Sequence, residues 1–180
     1  ASYVYVLDVA TGKSTRLSER ALLATLVTDI AFTADGRSVV AVLVPSKRAP
    51  EPTRGPNGDV DGPDVRLTEG RAVPQPVHFD LLQDPHEKAL LTWYTTGQVA
   101  LLDVQRRAVT EIGTPAMIRA VSASADGAYV RVTRMVEPFS YLVPVNAFGS
   151  VDELWDRSGR VIAKLGETAL REGGRGGAPG

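Results

Sequence analysis

The stretch that decides the fold is VALLDVQRRAVTEIGTPAMIRAVSASADGAYVRVT, residues 99–133. It contains two strand–turn–strand units. In the first unit an apolar run ends at Asp103, passes through polar residues and returns as a second run at residues 108–112. In the second unit Ala125-Asp126-Gly127 separates two apolar runs, and Asp-Gly in this position favours a tight hairpin. The stretch therefore predicts four consecutive antiparallel strands.

The same pair of units occurs earlier in the chain, as Leu7-Asp8-Val9 followed by Ala34-Asp35-Gly36, and a third copy begins at Trp155-Asp156. Four-stranded repeats of about 40–50 residues are typical of β-propeller blades. The sequence therefore predicts an all-β fold, a partial β-propeller of about two to three blades of antiparallel strands. A further strand is expected over residues 140–145.

The two full copies are separated by a segment of different character. Residues 45–76 contain seven prolines and four glycines, which predicts a loop or an extended insertion. After it, Asp84-Pro85-His86-Glu87 has the residues of a helix start, with Asp as N-cap, Pro at the first position and Glu at the third. A helix is expected over 84–96, with an apolar face formed by Ala89, Leu90 and Trp93.

The predicted propeller extends over residues 1–172, and residues 173–180 form a glycine-rich tail or linker. The chain begins with Ala1 and enters strand-like sequence at once, so it is expected to be part of a longer protein. Two or three blades cannot close a ring. Apolar blade faces are therefore expected to be exposed.

Composition weighs against several classes of partner. Lys+Arg is 20 and Asp+Glu is 21, and this balance does not indicate nucleic-acid binding. The chain has no cysteine, which excludes disulfides and thiolate metal sites. No apolar run approaches the roughly 18 residues of a membrane span.

No catalytic residue is expected in this chain. The strained Gly-x-Ser-x-Gly turn of a serine hydrolase does not occur, and the chain has only two histidines. His86 is expected in the first turn of the helix and His78 at a surface or loop edge. Gly12-Lys13-Ser14 resembles the end of a phosphate-binding loop, but position 7 is Leu rather than the required Gly, which favours a hairpin turn.

One candidate metal site is present in the sequence, the acids Asp59, Asp61 and Asp64 in the insertion. Spaced acids can bind calcium through oxygen ligands, but the Glu that closes an EF-hand loop is missing. The pattern favours solvated loop acids. We expect no metal and no cofactor.

A family resemblance adds to this interpretation. Residues 79–87, FDLLQDPHE, and 93–98, WYTTGQ, resemble a stretch of prolyl oligopeptidase family serine peptidases, in particular a glutamyl endopeptidase-like branch. Residues 138–144, PFSYLVP, and 155–159, WDRSG, agree in order and spacing. Asp84 and Gly97 stand where the family often has Asn and Ser.

The resemblance implies that this chain is a fragment of the N-terminal propeller of a bacterial, periplasmic or secreted enzyme. An α/β-hydrolase domain carrying the catalytic triad would follow it, and that domain and peptide substrates would be its partners. The propeller segment would gate and orient peptides. The alternative is a non-enzymatic β-propeller that binds proteins or ligands.

Arg134 is the one candidate for substrate binding. In a glutamate-selective peptidase, an arginine facing the central cavity could pair with the substrate carboxylate. The alternative, which the residues favour, is a structural salt bridge with Glu137 or another acid. Trp93, Tyr94 and Trp155 are expected to pack in the core or between blades.

Overall fold

The computed structural model describes residues 1–27, 29–55 and 81–172. Several predictions fall outside these residues. They are most of the 45–76 insertion, its acids Asp59, Asp61 and Asp64, His78, and the 173–180 tail.

The described residues form nine strands and one α-helix. In chain order these are β1 (Tyr5–Asp8), β2 (Lys13–Arg16), β3 (Ala31–Phe32), β4 (Ser38–Leu43), α1 (Pro85–Thr95), β5 (Thr96–Asp103), β6 (Val109–Ala123), β7 (Tyr129–Met135), β8 (Ser150–Asp156) and β9 (Val161–Thr168). A 3-10 turn covers Val145–Ala147.

The strands pair with their neighbours in sequence, always antiparallel. β1 and β2 form a hairpin, and β3 to β9 form a continuous run in chain order. The long strand β6 belongs to two four-stranded units: residues 109–117 pair with β5, and residues 118–123 pair with β7. We call β3–β6 the first blade and β6–β9 the second blade.

Alternation along β4 shows how the layers stack. Val40 and Val42 belong to one buried cluster, while Val39, Ala41 and Leu43 belong to another. Successive side chains of a strand point to opposite faces of the sheet, so the first blade is covered on both faces. On one face lies the β1–β2 hairpin, and the residues flanking it, Val4 just before β1 and Leu17 just after β2, enter this cluster.

The other face of the first blade packs on the second blade. This inter-blade core contains Val130, Val132 and Trp155 from the second blade together with Val99, Leu101 and Ile112 from the first. Trp155 is only 4% exposed, as expected for inter-blade packing. The fold is therefore all-β, a partial β-propeller with one inserted helix, and the predicted fold class is confirmed.

Two glycines allow the blades to approach closely. Gly113 in β6 has φ 65° and Gly159 in the β8–β9 turn has φ 84°, a region that side chains strain to adopt. A Cβ on Gly113 would lie 2.8 Å from the Trp155 ring, and one on Gly159 would overlap the Gly113 backbone. Both positions therefore require glycine for space as well as for conformation.

The helix begins as the sequence indicates. The Asp84 carboxylate accepts the Glu87 backbone N–H at 2.8 Å, and the Glu87 carboxylate accepts the Gln83 backbone N–H at 2.7 Å. Its predicted apolar face does not enter the core, however. Leu91 packs inward against a cluster containing Met135, Phe139 and Phe148, whereas Ala89 and Trp93 face a cavity on the other side.

Two strand predictions were wrong. Residues 140–144 form a loop and Val145 begins the 3-10 turn, because Pro144 has no N–H for a ladder and Phe139 is held by stacking on Phe148 at 5.2 Å between ring centroids. The apolar run at 108–112 and the run that precedes the Ala125-Asp126-Gly127 turn are not two strands but one, β6, since the residues between them stay extended and pair with β5 up to Met117. In the part of the chain that the structure describes, no helix has the length and apolarity to span a membrane.

Candidate functional site

A cavity of about 520 Å³ lies between α1 and the chain that follows β4. Its walls come from residues 45–52, from one face of the helix, and from Pro115 and Glu137. The lining residues are Pro45, Lys47, Arg48, Ala49, Pro50, Pro52, Pro85, Lys88, Ala89, Thr92, Trp93, Thr96, Pro115 and Glu137. We call this the α1 cavity. Its volume lies within the range of about 300–1,000 Å³ that is typical of small-ligand sites.

The wall opposite the helix is fixed by polar contacts. The Trp93 indole N–H donates to the Ala49 carbonyl at 2.8 Å, and the Tyr94 hydroxyl donates to the Glu51 carboxylate at 2.7 Å. Arg54 forms a salt bridge with Asp84 at 2.7 Å, at the start of the helix. The irregular segment is therefore bound to α1 near both ends of the helix.

Trp93 and Tyr94 are placed differently from the prediction. Their rings meet edge to face at 4.7 Å between centroids, and Tyr94 is 42% exposed. Neither residue belongs to the buried inter-blade core. Both instead hold the 45–54 segment against the helix, because their polar atoms find partners there.

Arg48 is the polar centre of the α1 cavity. Its guanidinium lies 3.3 Å from the centroid of the Trp93 ring and donates through Nη2 to the Trp93 carbonyl. Its Nε is buried and has no hydrogen-bond partner among the described residues. Burial lowers the pKa of Arg48 from its ordinary value, because a charged group loses hydration there.

The cavity wall carries more positive than negative charge. Lys47, Arg48 and Lys88 contribute cations, whereas Glu137 contributes the only carboxylate of the lining. The Lys88 Nζ lies 3.9 Å from a carboxylate oxygen of Glu137. Within the described chain neither Lys47 nor Arg48 forms a salt bridge, although the Glu51 carboxylate favours the charged form of Arg48.

Arg134, the predicted substrate-binding residue, lies in β7 and pairs within the chain. Its Nε and Nη2 donate to the two carboxylate oxygens of Glu153 at 2.9 and 2.7 Å. The Trp155 indole N–H donates to the same carboxylate at 2.8 Å. The Arg134 hydrogen bond is the main reason that the pKa of Glu153 lies below its ordinary value.

The sequence favoured a structural salt bridge between Arg134 and Glu137 or another acid. The structure shows such a salt bridge, and the acid is Glu153. Arg134 is not part of the α1 cavity. A role for Arg134 in pairing with a substrate carboxylate stays a prediction.

The described residues bring together no catalytic set. His86 lies in the first turn of α1, as predicted, and no serine in the described chain is hydrogen-bonded to it. Over residues 1–27, 29–55 and 81–172 no group of three His, Asp or Glu side chains is arranged to hold a metal ion.

The cavity residues Lys47, Arg48 and Lys88 were missed by sequence reasoning. Lys47 and Arg48 lie in a segment that was predicted only to be a loop or an extended insertion. A loop has no periodic pattern that would indicate which helix it packs against. One signal was present. Ala89 and Trp93 form an apolar stripe on a helix, and such a stripe requires a covering surface.

Comparison with known proteins finds two curated relatives, both from plants. A "Probable glutamyl endopeptidase, chloroplastic" of Arabidopsis thaliana is 29% identical over 171 residues, which is 94% of this chain and 18% of that protein. A protein of the same name from Oryza sativa subsp. japonica is 33% identical over 112 residues, 62% of this chain and 12% of that protein. No family model and no solved structure matches the chain.

The chain therefore spans less than a fifth of the length of the curated relatives it matches. Their names give weak support for a peptidase-related protein. The predicted bacterial origin and periplasmic location gain no support from plant relatives, and the location stays a prediction.

Proposed function

We propose that this chain is the non-catalytic propeller segment of a serine peptidase, which gates and orients peptide substrates for a downstream α/β-hydrolase domain. One observation carries the proposal. The similarity to a probable glutamyl endopeptidase extends over 94% of the chain, and so includes both blades and the inserted helix.

The chemistry of the chain supports a non-catalytic role. Acyl transfer by a serine requires an exposed nucleophile, an adjacent base and an oxyanion hole. This chain has no Gly-x-Ser-x-Gly turn in its sequence. The buried Glu153 carboxylate is instead held within the second blade by Arg134 and Trp155, which is consistent with a structural role. The triad would therefore have to come from another part of the polypeptide.

Reaction with a fluorescent fluorophosphonate, which labels activated serines, tests the proposal. The 180-residue chain should remain unlabelled and should not cleave Glu-containing peptides. The complete polypeptide encoded by the gene should be labelled and active. Labelling of the short chain, or a complete polypeptide that neither labels nor cleaves peptides, would contradict the proposal.

The gating role is tested with substrates of different size. The complete polypeptide should cleave a short peptide efficiently and should cleave the same sequence poorly when it is embedded in a folded protein. Equal cleavage of the two would show that the blades do not restrict access.

A non-enzymatic binding module remains the second candidate, and the α1 cavity is the observation that favours it. The two candidates differ in what the complete polypeptide does with fluorophosphonate. A binding module gives no label in either form.

A further inference from the structure

The apolar surface of the α1 cavity is placed where a ligand can use it. Ala89, Thr92 and Trp93 recur at helical spacing, yet this stripe faces the cavity while Leu91 faces the core. The five prolines of the lining, Pro45, Pro50, Pro52, Pro85 and Pro115, add rigid apolar walls. Covering such surface with an apolar group is favourable, because that surface is removed from water.

The cavity is also built before any ligand arrives. Residues 45–54 are bound to α1 through the contacts of Trp93, Tyr94 and Asp84 described above. A wall that is already ordered loses little conformational entropy on binding. Ligand binding therefore does not have to order the segment first.

The charge of the wall indicates the polar group of the ligand. Lys47 and Arg48 form no salt bridge within the described chain, although the Glu51 carboxylate acts electrostatically on Arg48, and the Arg48 Nε has no acceptor there. Arg48 is held in place by the Trp93 ring and carbonyl. A carboxylate fits beside these cations, since charge-assisted hydrogen bonds are the stronger ones.

We propose that the α1 cavity binds the C-terminal end of a peptide, with its last apolar side chain against Trp93 and the prolines and its terminal carboxylate at Lys47 and Arg48. The chemistry that the cavity recognises is an apolar group next to a carboxylate. Its volume of about 520 Å³ leaves room for more than one side chain, which favours a peptide over a single small acid. The proposal does not depend on a catalytic domain.

Calorimetric titration of the 180-residue chain tests this proposal. The probe is an acetylated tetrapeptide of alanines ending in leucine with a free carboxylate. The same peptide with an amidated C-terminus is the control for charge, and N-acetyl-leucine is the control for a small organic acid. We expect the free-acid peptide to bind about tenfold more tightly than the amide, because the amide lacks the charge-assisted contact.

Variants place the binding at this cavity. Arg48→Met should weaken binding of the free-acid peptide about tenfold or more. Lys47→Met should weaken it a few-fold, and it is the safer variant, since Lys47 is exposed and its side chain forms no hydrogen bond or salt bridge in the described chain. Arg106→Met, in the exposed β5–β6 turn, is the matched control and should bind as the unmodified chain does.

Three results would overturn the proposal: no binding at millimolar peptide, equal binding of free-acid and amide peptides, or unchanged binding by both Lys47→Met and Arg48→Met. If N-acetyl-leucine binds as tightly as the free-acid peptide, the ligand is a small organic acid rather than a peptide, and the proposal is overturned. Circular dichroism of Arg48→Met separates a lost contact from a lost fold, and Lys47→Met keeps the test valid if Arg48→Met does not fold.

Discussion

Glu153 is a carboxylate buried in the inter-blade core, only 7% exposed. Burying a charge is costly unless it is paired and hydrogen-bonded. Here Arg134 supplies two donors and Trp155 supplies a third. The pair thus orients the ring of Trp155, the largest side chain between the blades.

Replacing Glu153 by Gln should lower the free energy of unfolding by about 2–3 kcal/mol, because a half-buried guanidinium loses its partner. Glu167→Gln is the matched control. Glu167 pairs with Lys164 on the exposed strand β9, and such pairs contribute about 0–1 kcal/mol. Urea unfolding of the two variants measures the difference. A loss for Glu153→Gln no larger than that for Glu167→Gln would contradict this account.

The effect of Glu153→Gln on the free energy of unfolding should depend on pH. The folded-state pKa of Glu153 lies below its ordinary value of 4.5, chiefly through the Arg134 hydrogen bond. Its contribution to stability is therefore present above about pH 4.5 and is lost as pH falls through the folded-state pKa. The stability difference between the unmodified chain and Glu153→Gln should narrow in that acidic range.

The acid that pairs with Arg134 could not be chosen from sequence. Glu137 is three residues away in the chain, but it lies beyond the end of β7. Glu153 is 19 residues away and becomes a neighbour only through strand pairing, in which Arg134 lies opposite Val151 and Glu153 lies two positions further along β8. Such diagonal contacts depend on register, and no local pattern specifies it here.

At the scale of the elements, turns set the geometry of the blades. The Gly113 and Gly159 backbones approach so closely that neither tolerates a side chain, and the Trp155 ring lies over Gly113. Gly12 has a similar φ of 68° in the β1–β2 turn, but a Cβ there would meet nothing within 4 Å. A substitution at Gly12 therefore tests backbone strain alone, whereas one at Gly159 tests strain together with crowding.

Gly159→Ala should lower the free energy of unfolding by about 3 kcal/mol or more, because strain and overlap with Gly113 add together. Gly12→Ala should cost about 1 kcal/mol, from strain alone. Thermal unfolding followed by circular dichroism compares them. Similar losses in the two variants would show that the Gly113–Gly159 contact is not tight in solution.

The elements differ in how well sequence predicts them. The Asp-Gly turns and the Asp84 cap were read correctly, because each depends on a few adjacent residues with specific chemistry. The strand predicted over residues 140–145 was wrong, since an apolar run looks the same in a strand and in a buried loop. The α1 cavity was not predicted at all, because it forms only where a loop distant in sequence packs on the helix.

At the scale of the whole molecule, apolar side chains remain exposed on both outer layers. Tyr5, Leu7 and Val9 are 56%, 59% and 90% exposed on and beside β1. On β9, Val161, Ile162 and Leu165 are 45–52% exposed. Exposed apolar surface of this kind marks a face that packs against another surface.

The chain should therefore self-associate as its concentration rises, and Leu7→Lys should reduce this association. Gln105→Lys, in the exposed β5–β6 turn, introduces the same charge away from the apolar faces and should not. Sedimentation velocity over a range of concentrations measures the effect. A monomer at every concentration would contradict the expectation.

Finally, strand β6 limits how the two blades can move. Its hydrogen bonds pass from β5 to β7 within one strand of 15 residues, so the two blades are joined by a continuous strand rather than by a loop. The two blades should exchange their amide hydrogens as one cooperative unit. Any hinge that opens this part of the chain must then lie at a different joint, such as the connection between the β1–β2 hairpin and the first blade.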